Sequence, residues 1–351
     1  MFRRPLLAAP ILALILAPLL APLPAAAQAK ELKMFNWSNY MPPDLLKRFE
    51  AETGIKVILD SYDSNESMLS KLQAGGTGYD LVVPTGPTLK NMVRDGMLLK
   101  IDAASLPNFK GVGAPFDKPD FDPERAYSVP YMWGTTGIAY DTAITGCKLE
   151  ESWKVMFDPP PSLVGKVGML NAPGEAWNAA AHFLGIDRCS EKPDDAQRIF
   201  DVLAKQKPAV TIYSSNATAD RVVAGEVAMQ QMWNGAYRRA KARKATLDWI
   251  YPKEGLDVWA DNFAVPKGAP NLENAKVFLN WIMEPKNIAE ASNFLGYNNA
   301  IPASAALFSD ALRNEPAVNT PPEMLARLRP IGTCGPASLD LRDKVWTRLR
   351  R

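Results

Sequence analysis

The chain has 351 residues, of which 40 are Lys or Arg, 38 are Asp or Glu and one is His. Two arginines belong to an apolar N-terminal leader, and without them basic and acidic residues are equal in number. This balance gives no electrostatic reason to expect a nucleic acid or an acidic membrane surface as partner. A lone histidine also excludes the usual multi-histidine zinc sites.

The leader, residues 1–29, has the pattern of a secretory signal peptide. Arg3 and Arg4 precede an apolar run over 5–27, and a small-residue cleavage site follows at 27–29. Prolines at 10, 18, 22 and 24 argue against a membrane-spanning helix, because each removes a helical hydrogen bond. We therefore predict export to the periplasm.

Short apolar runs and amphipathic segments alternate after Lys30. Strands are predicted over 32–35, 57–59 and 80–83, and helices over 43–53 and around 68–72. Repeated strand and helix units of this kind predict a parallel sheet with helices on its faces.

Two later runs are extended and carry little charge. They are VPYMWGTTGIAYD at 129–141 and GLDVWADNFAVP at 255–266, and they flank a segment of more than a hundred residues. This order suits two lobes joined by paired crossover strands, with hinge closure around a ligand. The predicted fold class is therefore α/β and two-lobed, with a hinge between the lobes.

Catalytic motifs are poorly represented. His182 has no nucleophile motif nearby, which favours a packed or surface residue. The glycine-rich stretch at 74–78 precedes its strand and lacks a Gly-Lys-Ser/Thr ending, so it predicts a tight turn instead of a phosphate loop. The basic run 238–244 is interpreted as a solvated helix face, with a permease contact as the alternative.

Three cysteines, Cys147, Cys189 and Cys334, allow one disulfide in an oxidising compartment. The sequence does not choose the pair, and three buried thiols that pack as small apolar groups are an equal alternative.

Three tryptophans have polar or acidic close neighbours, and they carry the functional prediction. Trp37 precedes Ser38 and an asparagine, Trp233 precedes another asparagine, and Trp259 lies two residues before an aspartate. A ring face attracts positive charge, and a carboxylate pairs with an ammonium group. These combinations predict a cleft for an organic cation.

A series of motifs resembles the periplasmic polyamine-binding proteins, in their order and spacing, from about Lys30 to the end. The motifs are NWSNYMPPDLLKRFEAETGIKVILDSYDSNESM, GYDLVVPT, VPYMWGTTGIAY, WNGAY, YPKEGLDVWADNFAVP and LGYNNAIP. The resemblance implies a type II binding-protein fold that encloses a polyamine or a related organic cation and delivers it to the membrane permease of an ABC importer. It also implies no catalysis, no metal and no cofactor, and we expect a monomer.

The same resemblance assigns ten residues to the ligand cleft. They are Trp37, Ser38, Asn39, Tyr40, Thr85, Glu175, Trp233, Trp259, Asp261 and Tyr297. Among them, Trp233 and Trp259 match rings that stack on the methylene chain, and the two acids match carboxylates that hold amines.

The chain departs from the family at several positions. Family members usually carry Asp or Glu where this chain has Asn39. At the position of Ala236 the putrescine type has an acid and the spermidine type a serine, and the spermidine type adds an acid near Ala172 and a tyrosine near Pro87 that are absent here. Because breaking a buried ion pair costs about 3 to 5 kcal/mol, each missing acid should weaken binding of a classical polyamine roughly a hundredfold or more. A monoamine, an acylated polyamine or a guanidinium compound is the alternative ligand. A sensory receptor of the same fold is the alternative function.

The resemblance and the two crossover runs together divide the chain into lobes. The first lobe is expected to comprise 30–136 and 258–302, and the second 137–257 and 303–351. All three cysteines then fall in the second lobe.

Overall fold

The computed structural model describes residues 30–75 and 78–351. The predicted signal peptide and the middle of the predicted turn at 74–78 lie outside these residues. Within them, no helix has both the length and the apolar character needed to cross a membrane.

Eleven strands are assigned in the described part of the chain. In chain order they are β1 Glu31–Trp37, β2 Lys56–Tyr62, β3 Leu81–Val82, β4 Ser128–Asp141, β5 Val167–Met169, β6 Val210–Tyr213, β7 Met229–Trp233, β8 Leu247–Ile250, β9 Leu256–Ala264, β10 Asn298–Asn299 and β11 Leu328–Pro330.

Thirteen α-helices lie between and after these strands, over the same described ranges. They are α1 Pro43–Thr53, α2 Asn65–Gln73, α3 Gly86–Arg94, α4 Thr142–Thr145, α5 Lys154–Phe157, α6 Pro173–Leu184, α7 Pro193–Gln206, α8 Thr218–Ala224, α9 Asn234–Lys241, α10 Leu272–Ile282, α11 Pro285–Leu295, α12 Asp310–Arg313 and α13 Pro336–Arg350.

The N-terminal strand and helix units are confirmed, and local sequence explains their limits. Helix α1 has a proline in its first turn, where the missing N–H costs nothing, and it ends at Gly54 with a φ of 70°. Its buried Leu45 and Phe49 face the sheet. Full burial of such a side chain contributes about 1.5 to 3 kcal/mol. Strands β1 and β2 pair in parallel. Each begins one residue before its predicted start, and β1 ends two residues and β2 three residues after the predicted end.

The predicted crossover strands pair with each other. The first part of β4 is antiparallel to β9, from Ser128 opposite Ala264 to Thr135 opposite Val258. The second part of β4 leaves β9 and pairs with β7 and β8. A single strand of 14 residues therefore belongs to both halves of the sheet.

A third segment crosses at the same place. Strand β11 lies parallel to β9, with Leu328 opposite Leu256 and Pro330 opposite Val258. The sequence does not predict this strand, because the strand is short and its pairing partner is far away in the chain.

Buried apolar side chains form separate cores on the two sides of the crossover. One side is built from residues within 32–132 and 259–301, and the other from residues within 138–256 and 317–349. We use these two groups as the first and second lobe below. The boundaries at 136/137, 257/258 and 302/303 stay a prediction.

Two sequence interpretations need correction. The alternative of three buried thiols is wrong, because Cys189 and Cys334 form a disulfide and Cys147 is exposed. The solvated face proposed for 238–244 is also wrong in part, because Arg238 donates to the Asn293 carbonyl at 3.1 Å and Lys244 pairs with a buried carboxylate. Basic residues there pack against neighbouring elements that sequence spacing does not reveal.

Candidate ligand-binding cleft

A cavity of about 690 Å³ lies between the two lobes. It is bordered by the last residues of β1 and β7 and by the middle of β9, and strand ends are where ligands bind in open α/β sheets. All ten residues predicted for the cleft line this cavity.

Trp37 is the last residue of β1 and forms part of the first lobe's wall. Its Nε1 donates to the Val83 carbonyl at 2.8 Å, and its ring lies 4.9 Å from that of Tyr62. Ser38 continues the chain with an N–H bond of 3.0 Å to the Tyr62 carbonyl. The wall is thus fixed by two neighbouring strands.

Asn39 forms the turn that follows this strand. It is exposed and has a φ of 55°, in the left-handed region that Asn and Gly adopt most readily. The backbone conformation therefore favours an asparagine at position 39, which also lies at the edge of the cleft.

Asp261 lies on β9 at the base of the first wall and is 5% exposed. Its Oδ1 has no hydrogen-bond partner among the described residues, and neither do Tyr40 Oη and Trp259 Nε1 beside it. Burial raises the pKa of Asp261 to about 8, and the carboxylate of Glu175 adds to this shift. An unpaired acid and two unpaired donors thus line one end of the cavity.

Thr85 holds the backbone of this end in place. It forms an isolated antiparallel bridge with Asp261, and its hydroxyl accepts a hydrogen bond of 3.1 Å from Asn65. The loop after β3 is thereby tied to the crossover strand.

Glu175 belongs to the second lobe and lies in the first turn of α6. It accepts hydrogen bonds from Trp233 Nε1 at 2.9 Å and from the Thr136 hydroxyl at 3.2 Å. Burial raises its pKa to about 7, and the Asp257 carboxylate adds to the shift. Trp233 in turn contacts Trp37 edge to face, with ring centroids 5.9 Å apart, so the two walls meet.

Tyr297 connects the aromatic groups across the cleft. Its ring lies 5.6 Å from the Tyr40 ring and 5.2 Å from the Trp259 ring. A Cβ on Gly235 would lie only 2.4 Å from the Tyr297 ring, so α9 can approach this closely only because residue 235 is glycine.

Charged residues that the sequence analysis missed also line the cavity. Arg342 of α13 pairs with Glu66 of α2 at 3.2 Å, which joins the two lobes. A second joining contact is the 3.2 Å hydrogen bond from Asn171 to Asp63. Sequence offered no signal for these pairs, because their members are far apart in the chain and lie in ordinary amphipathic helices or loops.

The chemistry of this cavity is that of binding a cation. Buried carboxyl groups next to aromatic faces can hold an ammonium group and stack on its aliphatic chain. Within the described residues, no group of three or more His, Cys, Asp or Glu side chains is arranged to hold a metal ion.

The fold and this inter-lobe cavity are those of a solute-binding protein, and the family comparison agrees. Residues 44–321 match the model of the bacterial extracellular solute-binding protein family, and the chain belongs to that family. It is 33% identical to the putrescine-binding periplasmic protein SpuD of Pseudomonas aeruginosa, over 97% of both chains. It is 34% identical to the putrescine-binding periplasmic protein PotF of Escherichia coli, over 93% of this chain and 92% of the relative.

A further relative is the spermidine/putrescine-binding periplasmic protein of Escherichia coli, 33% identical over 89% of this chain and 88% of the relative. Solved structures share the fold. One from Listeria monocytogenes, provisionally assigned there as a spermidine/putrescine ABC transporter, has a TM-score of 0.85 and 27% identity, covering 92% of this chain and 99% of its own. The Tp0655 (TpPotD) lipoprotein of Treponema pallidum has a TM-score of 0.78 and 26% identity, covering 91% and 99%.

Proposed function

We propose that this chain is the periplasmic receptor of an ABC importer and that it binds a polyamine or a related organic cation between its lobes. The observation that carries the proposal is Asp261, a buried carboxyl with an unpaired oxygen beside two aromatic donors. A buried polar atom without a partner is costly, and an ammonium group would supply that partner. The relatives described above are putrescine and spermidine receptors by name.

The proposed pose follows from the positions of the two acids. One ammonium group lies at Asp261, near Tyr40, and the methylene chain runs between Trp259 and Trp233 toward Glu175. Apolar methylenes gain free energy by leaving water for the ring faces, at about 0.8 kcal/mol for each buried CH₂. Asp261 of the first lobe then holds one ammonium group, and Glu175 of the second lobe lies at the other end of the methylene chain.

The remaining assignments belong to the same proposal. The protein works as a monomer in the periplasm, presents its ligand to a membrane permease and performs no catalysis. Closure of the lobes brings the Trp37 wall against the Trp233 and Glu175 wall, so ligand binding and closure are coupled.

The test is a calorimetric titration of protein that has been unfolded and refolded to remove carried-over ligand. Putrescine, cadaverine, spermidine, agmatine, acetylated polyamines and choline are titrated into wild type, Asp261→Asn and Asp44→Asn. We expect at least one of these amines to bind wild type, and Asp261→Asn to weaken it by on the order of a hundredfold or more, because it removes the charge but keeps the shape.

Asp44→Asn is the matched control, since Asp44 lies on the solvent side of α1 with its side chain 86% exposed. It should bind as wild type does. The proposal would be contradicted if wild type bound none of these amines, or if Asp261→Asn bound them with the same affinity as wild type.

A further inference from the structure

The lining of the cleft includes, besides its acids, one arginine that has no carboxylate partner among the described residues. Four arginines line the cavity: Arg188, Arg239, Arg243 and Arg342. Three of them pair with carboxylates: Arg188 with Asp257 at 2.5 Å, Arg243 with Asp220 at 2.5 Å and Arg342 with Glu66 at 3.2 Å. Within the described ranges, Arg239 has no carboxylate within 4 Å.

Arg239 is held at one end of the aromatic cluster. It donates from one guanidinium nitrogen to the Leu295 carbonyl, and its Cζ lies 5.8 Å from the centre of the Tyr297 ring. A guanidinium has five N–H donors, so most of them are left for another acceptor. The residue is partly buried, which makes an unpaired charge there more costly than on the open surface.

The neighbouring side chains offer no anion to this guanidinium. Ala236 lies one turn before Arg239 on the same face of α9, is 2% exposed and also lines the cavity. Phe294 also lines the cavity, precedes the Leu295 whose carbonyl Arg239 contacts, and is apolar. A ligand that reaches this end therefore meets a cation beside apolar groups.

Asp261 and Arg239 both lie near the paired rings of Tyr40 and Tyr297. The Tyr297 ring is 5.6 Å from the ring of Tyr40, which neighbours Asp261, and 5.8 Å from Arg239. A short aliphatic chain that runs over Tyr297, instead of between Trp259 and Trp233 toward Glu175, would place one end at the Asp261 carboxyl and the other at the Arg239 guanidinium. A second ammonium there would be repelled, whereas a carboxylate would form a charge-assisted and bidentate pair.

We propose that the preferred cargo is an ω-amino carboxylate, with its ammonium at Asp261 and its carboxylate at Arg239. This inference rests on the proposed function and specifies the ligand class of that same cleft. Arg239 acts as the specificity-determining residue that separates an amino acid with a terminal amine from a diamine.

The experiment compares ligands that differ only at one end. Calorimetric titrations of the refolded full chain use 4-aminobutyrate, putrescine and n-butylamine, which share a four-carbon skeleton, and the matching five- and six-carbon series. In wild type, we expect the best amino acid to bind at least about tenfold more tightly than the diamine or monoamine of the same length, a difference of about 1.4 kcal/mol.

Two variants locate the effect. Arg239→Gln should remove the preference by weakening the amino acid and strengthening the diamine, with little change for the monoamine. Arg238→Gln is the matched control, because Arg238 is on the same helix and also donates to a carbonyl of α11, yet it does not line the cavity. It should keep the wild-type order of affinities.

The outcomes separate the two proposals. Diamine binding as tight as that of the amino acid in wild type overturns this inference and leaves the proposed function standing, and so does an unchanged preference in Arg239→Gln. Absence of binding by every amine and amino acid overturns both. The wild-type order decides the matter even if the Arg239→Gln protein does not fold.

Discussion

Asp261 and Glu175 are carboxyl groups whose pKa values, about 8 and about 7, are raised chiefly by burial. A primary amine stays protonated up to roughly pH 10, so only the carboxyls change charge between about pH 6 and 9. An ammonium ligand binds the ionised acids and must displace their protons at low pH. We expect affinity for an ammonium ligand to rise from about pH 6 to 9, with proton release on binding.

Stability of the unliganded protein should change in the opposite direction. A carboxyl whose folded pKa lies above its unfolded value stabilises the fold below the unfolded pKa, and that contribution is lost as the pH rises through the folded value. For Asp261 the window runs from the ordinary aspartate pKa of 3.8, which applies in the unfolded chain, to the folded pKa of about 8. Calorimetry in buffers of different ionisation enthalpy measures the released protons, and thermal unfolding against pH measures the stability. Identical profiles for wild type and Asp261→Asn would contradict the assignment.

The two positions that lack an acid differ in their surroundings, so restoring an acid should have different effects. Asn39 is exposed, so the hundredfold loss expected from the sequence for a missing buried acid does not apply to it. A charge at this position is screened by water, and Asn39→Asp should change diamine affinity by no more than roughly 1 kcal/mol. Ala236 is buried beside the unpaired Arg239, so Ala236→Asp should neutralise that guanidinium. We expect Ala236→Asp to shift the preference from an amino acid toward a diamine by tenfold or more, which the titration series measures. A larger effect from Asn39→Asp than from Ala236→Asp would argue against this placement of charges.

At the scale of elements, the sequence predicted best what depends on local pattern. Strand β1, helix α1 and strand β2 follow from apolar spacing and from the proline and glycine that limit α1. The pairing of β4 with β9 was also predictable, because each is a long run of β-branched and aromatic residues.

Elements whose partners are distant in the chain were not predictable. Strand β11 has three residues and no strong pattern, and only its place beside β9 makes it a strand. The disulfide partners are 145 residues apart, so spacing could not choose them. At the site, family motifs identified the aromatic wall, whereas Arg239 and Glu66 gain their meaning from residues on other elements.

The disulfide fastens the segment between β11 and α13 to the loop between α6 and α7. Cys189 follows Arg188, which pairs with Asp257 of β9 and donates to the Pro330 carbonyl at 2.7 Å. Loss of the cross-link frees a long loop in the unfolded chain, which typically costs about 2 to 5 kcal/mol. We therefore expect Cys334→Ser, or reduction of wild type, to lower the free energy of unfolding by roughly that amount.

Urea unfolding with and without reductant measures this difference. Cys147→Ser is the matched control, because Cys147 is exposed and unpaired in the structure, and its unfolding midpoint should equal that of wild type. The prediction would be wrong if reductant left the wild-type midpoint unchanged.

At the scale of the whole molecule, the lobes are joined across the cleft by direct contacts as well as by the crossover strands. Glu66 and Arg342 form an ion pair whose side chains are only 28% and 22% exposed. The 3.2 Å bond from Asn171 to Asp63 lies on the same side of the cleft. Such contacts exist only when the lobes are closed, so they favour the closed state and lower the free energy that a ligand must supply.

We expect Glu66→Gln and Arg342→Gln each to weaken ligand affinity about fivefold, because a partly exposed ion pair contributes up to roughly 1 kcal/mol. The double variant should lose little more than either single variant, since both remove the same contact. Titration gives the affinities, and small-angle scattering of the unliganded protein should show a larger radius of gyration in all three variants. Lys47→Gln, which breaks an exposed pair within the first lobe, is the control and should change neither quantity. Additive losses in the double variant, or an unchanged radius of gyration, would mean that the pair does not hold the lobes closed.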